Sequence, residues 1–173
     1  MSFANSFYWV KKPPSKTSST PSIFSLETNT FPIIATLPYA TALQKTYYAR
    51  VFGDPEGDSG SIDAPIARRP LPSLLRYVGP EGKPCLTRYR VLQRQENSTK
   101  LALEPVTGRT HQLRVHCAHM GWPILGDPQY GSAESQLFSA KLGLQYQQLC
   151  AKRLEFVHPI TGEDLVLESN MDV

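Results

Sequence analysis

Hydrophobic and polar residues alternate with a period of two along several stretches of this chain, the pattern of a half-buried strand. In residues 43–53, LQKTYYARVFG, Lys45, Tyr47, Ala49 and Val51 share one face; Gln44, Thr46, Tyr48, Arg50 and Phe52 share the other. Both faces are mixed, which suits a strand beside a wet cleft. Residues 53–61, GDPEGDSGS, read as a polar turn, residues 62–66 as a brief extended segment ended by Arg68, Arg69 and Pro70, and residues 79–83 as another turn. In residues 85–95, CLTRYRVLQRQ, Leu86, Arg88, Arg90 and Leu92 lie on one side, with Cys85, Thr87, Tyr89 and Val91 on the other. Residues 96–99 close a hairpin, and KLALEPVT returns with Leu101 and Leu103 facing one way until Pro105 stops regular pairing.

The period changes after Thr107-Gly108. Residues 110–120 read as a helix, with Thr110 the best N-cap by residue type. Leu113, His116, Cys117 and Met120 form one stripe, and His111, Arg114, Val115 and Ala118 the neighbouring one. Residues 129–139 are partly helical or irregular, and Leu144, Leu149 and Cys150 are candidate core positions beyond them. Residues 153–157 form a strand, 158–163 a turn and 164–167 the last strand. These elements specify an α+β fold: a mixed, mainly antiparallel sheet with short flanking helices.

Composition narrows the picture at the N-terminus. Residues 11–32 mix Lys, Pro, Ser and Thr, a composition that gains little by collapsing. We therefore expect an irregular or disordered leader over residues 1–40 and a domain over 41–173. Ile33 to Leu37 is a short apolar run closed by Pro38. The leader carries Lys11, Lys12 and Lys16, but its apolar run at residues 7–10 is too short for a secretory signal. No run approaches the roughly 18 apolar residues that cross a bilayer, so no membrane partner is expected. Cys85, Cys117 and Cys150 are odd in number and form no CxxC pair, which points to a reducing, cytoplasmic or otherwise intracellular setting, with a mitochondrial address the lesser reading.

Charge draws attention to residues 107–131, TGRTHQLRVHCAHMGWPILGDPQYG. Arg109, Arg114 and three of the four histidines fall within thirteen residues, and Asp127 is the one carboxylate there. A phosphate or polyanion is the partner such a segment invites. Metal ligation is the weaker reading: His111 and His116 point apart on a helix, and although His116 and His119 can share a face, neither HxxxH nor HExxH occurs. GxxxxGK[ST] and GxGxxG are absent too, so nucleotide hydrolysis lacks support. Nucleic acid fits better, because Arg88, Arg90 and Arg94 are all even-numbered, hence on one strand face, and can contact phosphates alongside Arg109 and Arg114. A solvated strand face is the competing reading.

The block GRTHQLRVHCAHMGWPILGDPQYG resembles the signature of the RluA-type RNA pseudouridine synthases. KTYYARVFG from Lys45, GKPCLT from Gly82 and LCAKRLEFVHPITG from Leu149 resemble that family in the same order, so the resemblance covers about residues 43–168. It implies the C-terminal part of the family's catalytic fold, with uridine isomerised in RNA without metal or organic cofactor after the base leaves its stack. It also implies roles for individual residues: Tyr47 lies against the target ring, Arg114 pairs with the catalytic aspartate, and Leu154 lines the pocket. Arg109 and His111 are implied to serve as scaffold or RNA-backbone contacts.

One family block is not found. The catalytic aspartate belongs to an HRLDxxTSG-like motif ahead of the KTY stretch, and residues 1–44 contain no aspartate. Asp54, Asp58, Asp63, Asp127 and Asp164 lie in other contexts. We therefore expect a chain that is catalytically incomplete by itself, whether a gene-model fragment, a split protein needing an N-terminal half, or a decayed copy. A non-catalytic RNA-binding or scaffolding module is the alternative. The expected partner is RNA, ribosomal or transfer RNA included, and the expected state a monomer.

Overall fold

The computed structural model describes residues 43–158 and 160–173, together with the backbone of residues 7–11. These belong to two compact units, one of residues 47–150 and 173, the other of residues 1–46 and 151–172. The expectations for residues 12–42, including the apolar run at 33–37, lie outside the described residues.

In the larger unit four antiparallel strands stand in the order β2 (Gln44–Phe52), β7 (Ser98–Pro105), β6 (Leu86–Gln95) and β3 (Ser59–Asp63). The β6–β7 pair is the hairpin that the alternation specifies, and Asn97 at φ 60 turns it. Ser59–Asp63 extends as a strand where residues 53–61 read as turn, because its backbone pairs along β6 from Arg90 to Leu86. A separate two-stranded ribbon joins β4 (Ile66–Arg68) to β5 (Arg76–Val78).

Two helices complete this unit: α1 (Gln112–His119) and α2 (Ala133–Lys141). Ala49 and Val51 from β2 and Leu101 and Leu103 from β7 are completely buried, and Leu113 and Cys117 of α1 meet them. Those two helical positions are four apart, so they stand one above the other on a single face. Trp122 and Ile124 close the same core, with the Trp122 ring 5.2 Å from Tyr89, edge to face. Ser132 caps α2 by accepting the Ser135 amide, and Phe138 sits 5.6 Å from Phe52. Of the candidate core positions, Cys150 is buried, Leu149 packs partly against the main core, and Leu144 is half-buried.

Thr110 is not the N-cap of α1: the cap is His111, in the left-handed region at φ 58, and its side chain makes no cap bond. Gln112 instead fastens the turn that leads into the helix, its Oε1 accepting the Arg109 amide and the Thr107 hydroxyl, both at 2.9 Å. Nor do Arg88, Arg90 and Arg94 share a face. An irregularity between Val91 and Gln93 inserts one residue into β6, so Arg88 and Arg90 stand opposite Glu104 and Ala102 while Arg94 stands opposite buried Thr99.

In the other unit β8 (Leu149–Val157) and β9 (Asp164–Ser169) pair antiparallel, and β1 (Phe7–Lys11) adds along β9 from Phe7 opposite Ser169 to Lys11 opposite Leu165. A strand therefore occupies residues 7–11, within the stretch expected to be irregular. Phe156, Leu165 and Leu167 form the buried cluster, with Leu43 and Leu154 packed on it. Among the described residues no helix is long and apolar enough to cross a membrane.

Candidate active site

The residues of the 107–131 block fall into three layers, and the deepest is a polar chain inside the core. The Gln112 side chain is almost fully buried, and its Nε2 donates to the Leu86 carbonyl at 2.9 Å and to Thr87 Oγ1 at 3.0 Å. With both lone-pair sites of Oε1 filled as well, the amide is saturated. Thr87 in turn meets His116 Nδ1 at 2.9 Å, and His116 Nε2 lies 3.0 Å from the Ala64 carbonyl. A carbonyl only accepts, so Nε2 carries the proton and the Thr87 hydroxyl donates to Nδ1. Burial lowers the His116 pKa and keeps the ring neutral. His116 and His119 therefore form no ligand pair: one is locked in the core and the other is exposed.

The second layer fixes Arg114. Its Nε donates to Asp127 Oδ2 and its Nη2 to Asp127 Oδ1, each at 2.7 Å, in a two-bond fork. Nη2 also reaches Gln129 Oε1 at 2.9 Å, and the guanidinium lies 4.8 Å from the centre of the Tyr130 ring. Nη1 makes no hydrogen bond among the described residues. Asp127 is fully buried and Arg114 13 % exposed at the side chain. Burial pushes the Asp127 carboxyl up, but Arg114 and the amides of Gln129 and Tyr130 more than offset it, so its pKa ends below the ordinary value. The Asp127 hydrogen bond, against burial, raises that of Arg114. Both partners are charged at neutral pH.

The resemblance implies that Arg114 pairs with the catalytic aspartate, for which residues 1–44 offer no candidate; in the structure Arg114 pairs instead with Asp127 of its own block. The signal for Asp127 lies in Asp127-Pro-Gln-Tyr130, where Oδ1 accepts the amides two and three residues on, at 2.9 and 3.2 Å. Gly126 makes that turn possible, since at φ 70 a Cβ there would lie 2.2 Å from the Tyr146 carbonyl oxygen.

Tyr130 links this layer to the helix start. Its hydroxyl accepts the Arg76 amide at 3.0 Å and shares a hydrogen bond with His111 Nδ1 at 2.8 Å. Burial first, then Arg114 and Arg76, lower the His111 pKa, which leaves a neutral side chain that braces the turn.

The remaining candidate residues are half-buried or exposed. Tyr47 lies on the β2 face that carries Ala49 and Val51 and packs against the main core; its hydroxyl has no hydrogen-bond partner among the described residues. Burial raises its pKa, so it stays a neutral phenol. Arg88 and Arg90 line an open depression of about 410 Å³ with Ser59, Ser61 and Glu104. Arg109 is exposed and donates through Nε to the Pro84 carbonyl at 3.3 Å. Arg94 is spent on the 54–58 turn, pairing with Asp54 and Asp58 and donating to the carbonyls of Pro55 and Gly57. Leu154 is half-buried in the other unit's apolar cluster.

Comparison with known proteins places this arrangement. A family model described as RNA pseudouridylate synthase matches residues 32–119. The chain is 37% identical over 130 residues to ribosomal large subunit pseudouridine synthase C of Vibrio cholerae, covering 75% of this chain and 41% of that protein. It is 44% identical over 123 residues to an uncharacterized RNA pseudouridine synthase of Chloroflexus aurantiacus, covering 71% and 37%. The Escherichia coli ribosomal large subunit pseudouridine synthase C matches at 42% over 134 residues, covering 75% and 42%. The chain thus spans about two fifths of the length of these curated relatives. The solved human RNA pseudouridylate synthase domain containing 1 superposes with a TM-score of 0.63 at 25% identity, covering 91% of this chain and 66% of that one. The α+β architecture read from the alternation is the architecture of that structure.

Proposed function

Since this chain belongs to the RNA pseudouridylate synthase family, we propose that it binds RNA and contributes to uridine isomerisation through Tyr47 and Arg114. We propose further that these 173 residues, by themselves, bind RNA without converting it. One observation carries this reading: Asp127 holds Arg114 by Nε and Nη2, with Nη1 left over among the described residues. A guanidinium fixed in that way is preorganised to orient a second acid or a substrate oxygen, and its geometry costs no rearrangement when the ligand arrives.

Isomerisation breaks the bond from the ribose C1′ to N1 of the base and forms a bond from C1′ to C5, while C5 loses its proton and N1 takes one up. The chemistry needs a free carboxylate beside the base. Asp127 does not supply it, because both its oxygens are engaged by Arg114 and by backbone amides. Tyr47, kept neutral by burial, supplies a flat apolar ring and a phenol that can donate a hydrogen bond, not a base.

RNA is the proposed partner, and RNA of the large ribosomal subunit is the first to test, because several relatives are named for that subunit. The non-catalytic RNA-binding reading shares the exposed cations Arg88, Arg90 and Arg109 as its support. Filter binding of a large-subunit RNA transcript across a salt series tests what the two have in common. We expect saturable binding that weakens steeply with salt. No binding at 50 mM salt (on the order of the low end of the usual range) would remove both readings.

A further inference from the structure

We propose that the cleft at the base of the β4–β5 ribbon is a site for the phosphodiester backbone of RNA, additional to the Tyr47 and Arg114 positions. The inference rests on RNA being the ligand of this chain. The cleft has a volume of about 480 Å³, and Arg68, Arg76, Lys83 and Arg109 line it against a single carboxylate, Glu81. The four cations come from four separate segments: the end of β4, the start of β5, the turn at 79–83, and the turn before α1.

None of the four makes an ion pair among the described residues. Arg76 spends Nη1 on the Leu74 and Leu75 carbonyls, Arg109 spends Nε on the Pro84 carbonyl, and Arg68 and Lys83 make no side-chain hydrogen bond among the described residues. Glu81 is turned to the Tyr77 hydroxyl, whose hydrogen bond lowers its pKa. Three positive charges are therefore left in excess.

The ribbon sets two of these charges against each other. Arg68 and Arg76 are direct cross-strand partners, and like charges so placed repel. Lys83 is held nearby by two backbone bonds between it and Ile66, each 3.0 Å. Gly82 permits that approach, since a Cβ there would lie 2.6 Å from the Ile66 backbone. The backbone is thus built to concentrate cations that it does not neutralise. An anion with several charged groups in series removes the repulsion, and arginine forks match phosphate oxygens. Arg109 lies in the turn before α1, the helix that carries Arg114, so the cleft adjoins the start of that helix.

The experiment measures binding of the same ribosomal transcript by the 173-residue chain, by Arg68→Ala/Lys83→Ala and by Glu81→Gln, across a salt series, with folding checked by circular dichroism. We expect the double variant to bind roughly tenfold more weakly and to lose about 1.4 from the slope of log affinity against log salt, two contacts at about 0.7 each. Glu81→Gln, which keeps the Tyr77 bond and removes the negative charge, is expected to bind more tightly, and it reads the same cleft should the double variant fail to fold. An unchanged slope in the double variant, or unchanged affinity in Glu81→Gln, overturns the cleft assignment while RNA binding stands. Absence of binding by the unaltered chain overturns the underlying reading instead. Inorganic pyrophosphate is the control for a small phosphorylated ligand: displacement of RNA at micromolar concentration would reassign the cleft, and we expect none.

Discussion

Arg114 and the arginines of the β4–β5 cleft are chemically the same side chain in opposite circumstances. Arg114 is nearly enclosed, forked onto a fully buried carboxylate and laid over an aromatic ring. Arg68, Arg76 and Arg109 line an open cleft with Lys83 and a single acid. A buried cation must be paired or it is not tolerated, so Arg114 contributes geometry and almost no net field. Exposed, unpaired cations cost little to keep and create the potential that attracts a polyanion. The contrast separates positioning from attraction, and each half can be broken without the other.

The largest effect belongs to the buried side. Asp127→Ala leaves the Arg114 guanidinium without its carboxylate, and we expect a loss of about 3–5 kcal/mol in urea denaturation. A loss below about 1 kcal/mol would mean that the pair is not what holds the 107–131 block together. Gln112→Ala comes next, at about 1–3 kcal/mol, because it strands the Arg109 amide ahead of α1 and removes the bond to buried Thr87.

His116 gives the pH signature of that interior. Its folded pKa lies below the ordinary 6.5, so near that pH the unfolded chain takes up a proton that the native ring refuses. Its contribution is therefore full above about 6.5 and declines as the pH falls below it. Stability measured from pH 8 to 5 is expected to drop, and replacement by Asn to flatten that drop; an equal slope in both would exclude His116 as the source. Asp127 acts in the same direction at lower pH, its contribution being present above the ordinary carboxyl value of 3.8 and lost as the pH falls through its lowered native pKa.

The smallest stability effects, and the sharpest test of the contrast, lie on β6. Arg88→Ala and Arg90→Ala should stay within about 0.5 kcal/mol of the parent, yet each should reduce the salt slope of RNA binding by about 0.7. Arg94→Ala should do the reverse. It loosens the 54–58 turn, at roughly 0.2–1 kcal/mol for an exposed pair, and leaves the slope unchanged. Equal slope losses at all three positions would restore the single arginine face that alternation alone suggests.

That difference on β6 shows where the sequence is legible. Alternation finds β2, the β6–β7 hairpin and the closing strands, because one face of each is buried and the period is fixed. The extra residue near Leu92 carries no Gly or Pro to mark it, so its reversal of Arg94 is silent. The head of α1 is misread for a related reason: residue type favours Thr110, whereas the bonds come from a buried glutamine that only the folded hairpin supplies. Asp127 is thirteen residues from Arg114 and on no shared element, so the fork between them is a tertiary fact. Motif spacing shows the family because four blocks keep their order, but it leaves open what each arginine touches.

Our proposal is that this chain holds the RNA and orients Arg114 without supplying the reacting carboxylate. It is tested most directly by mass spectrometry of pseudouridine in large-subunit ribosomal RNA incubated with the 173-residue chain, beside an Arg114→Ala control. We expect bound RNA with no gain of pseudouridine over the untreated transcript in either sample. Stoichiometric conversion by the unaltered chain, abolished in Arg114→Ala, would contradict it.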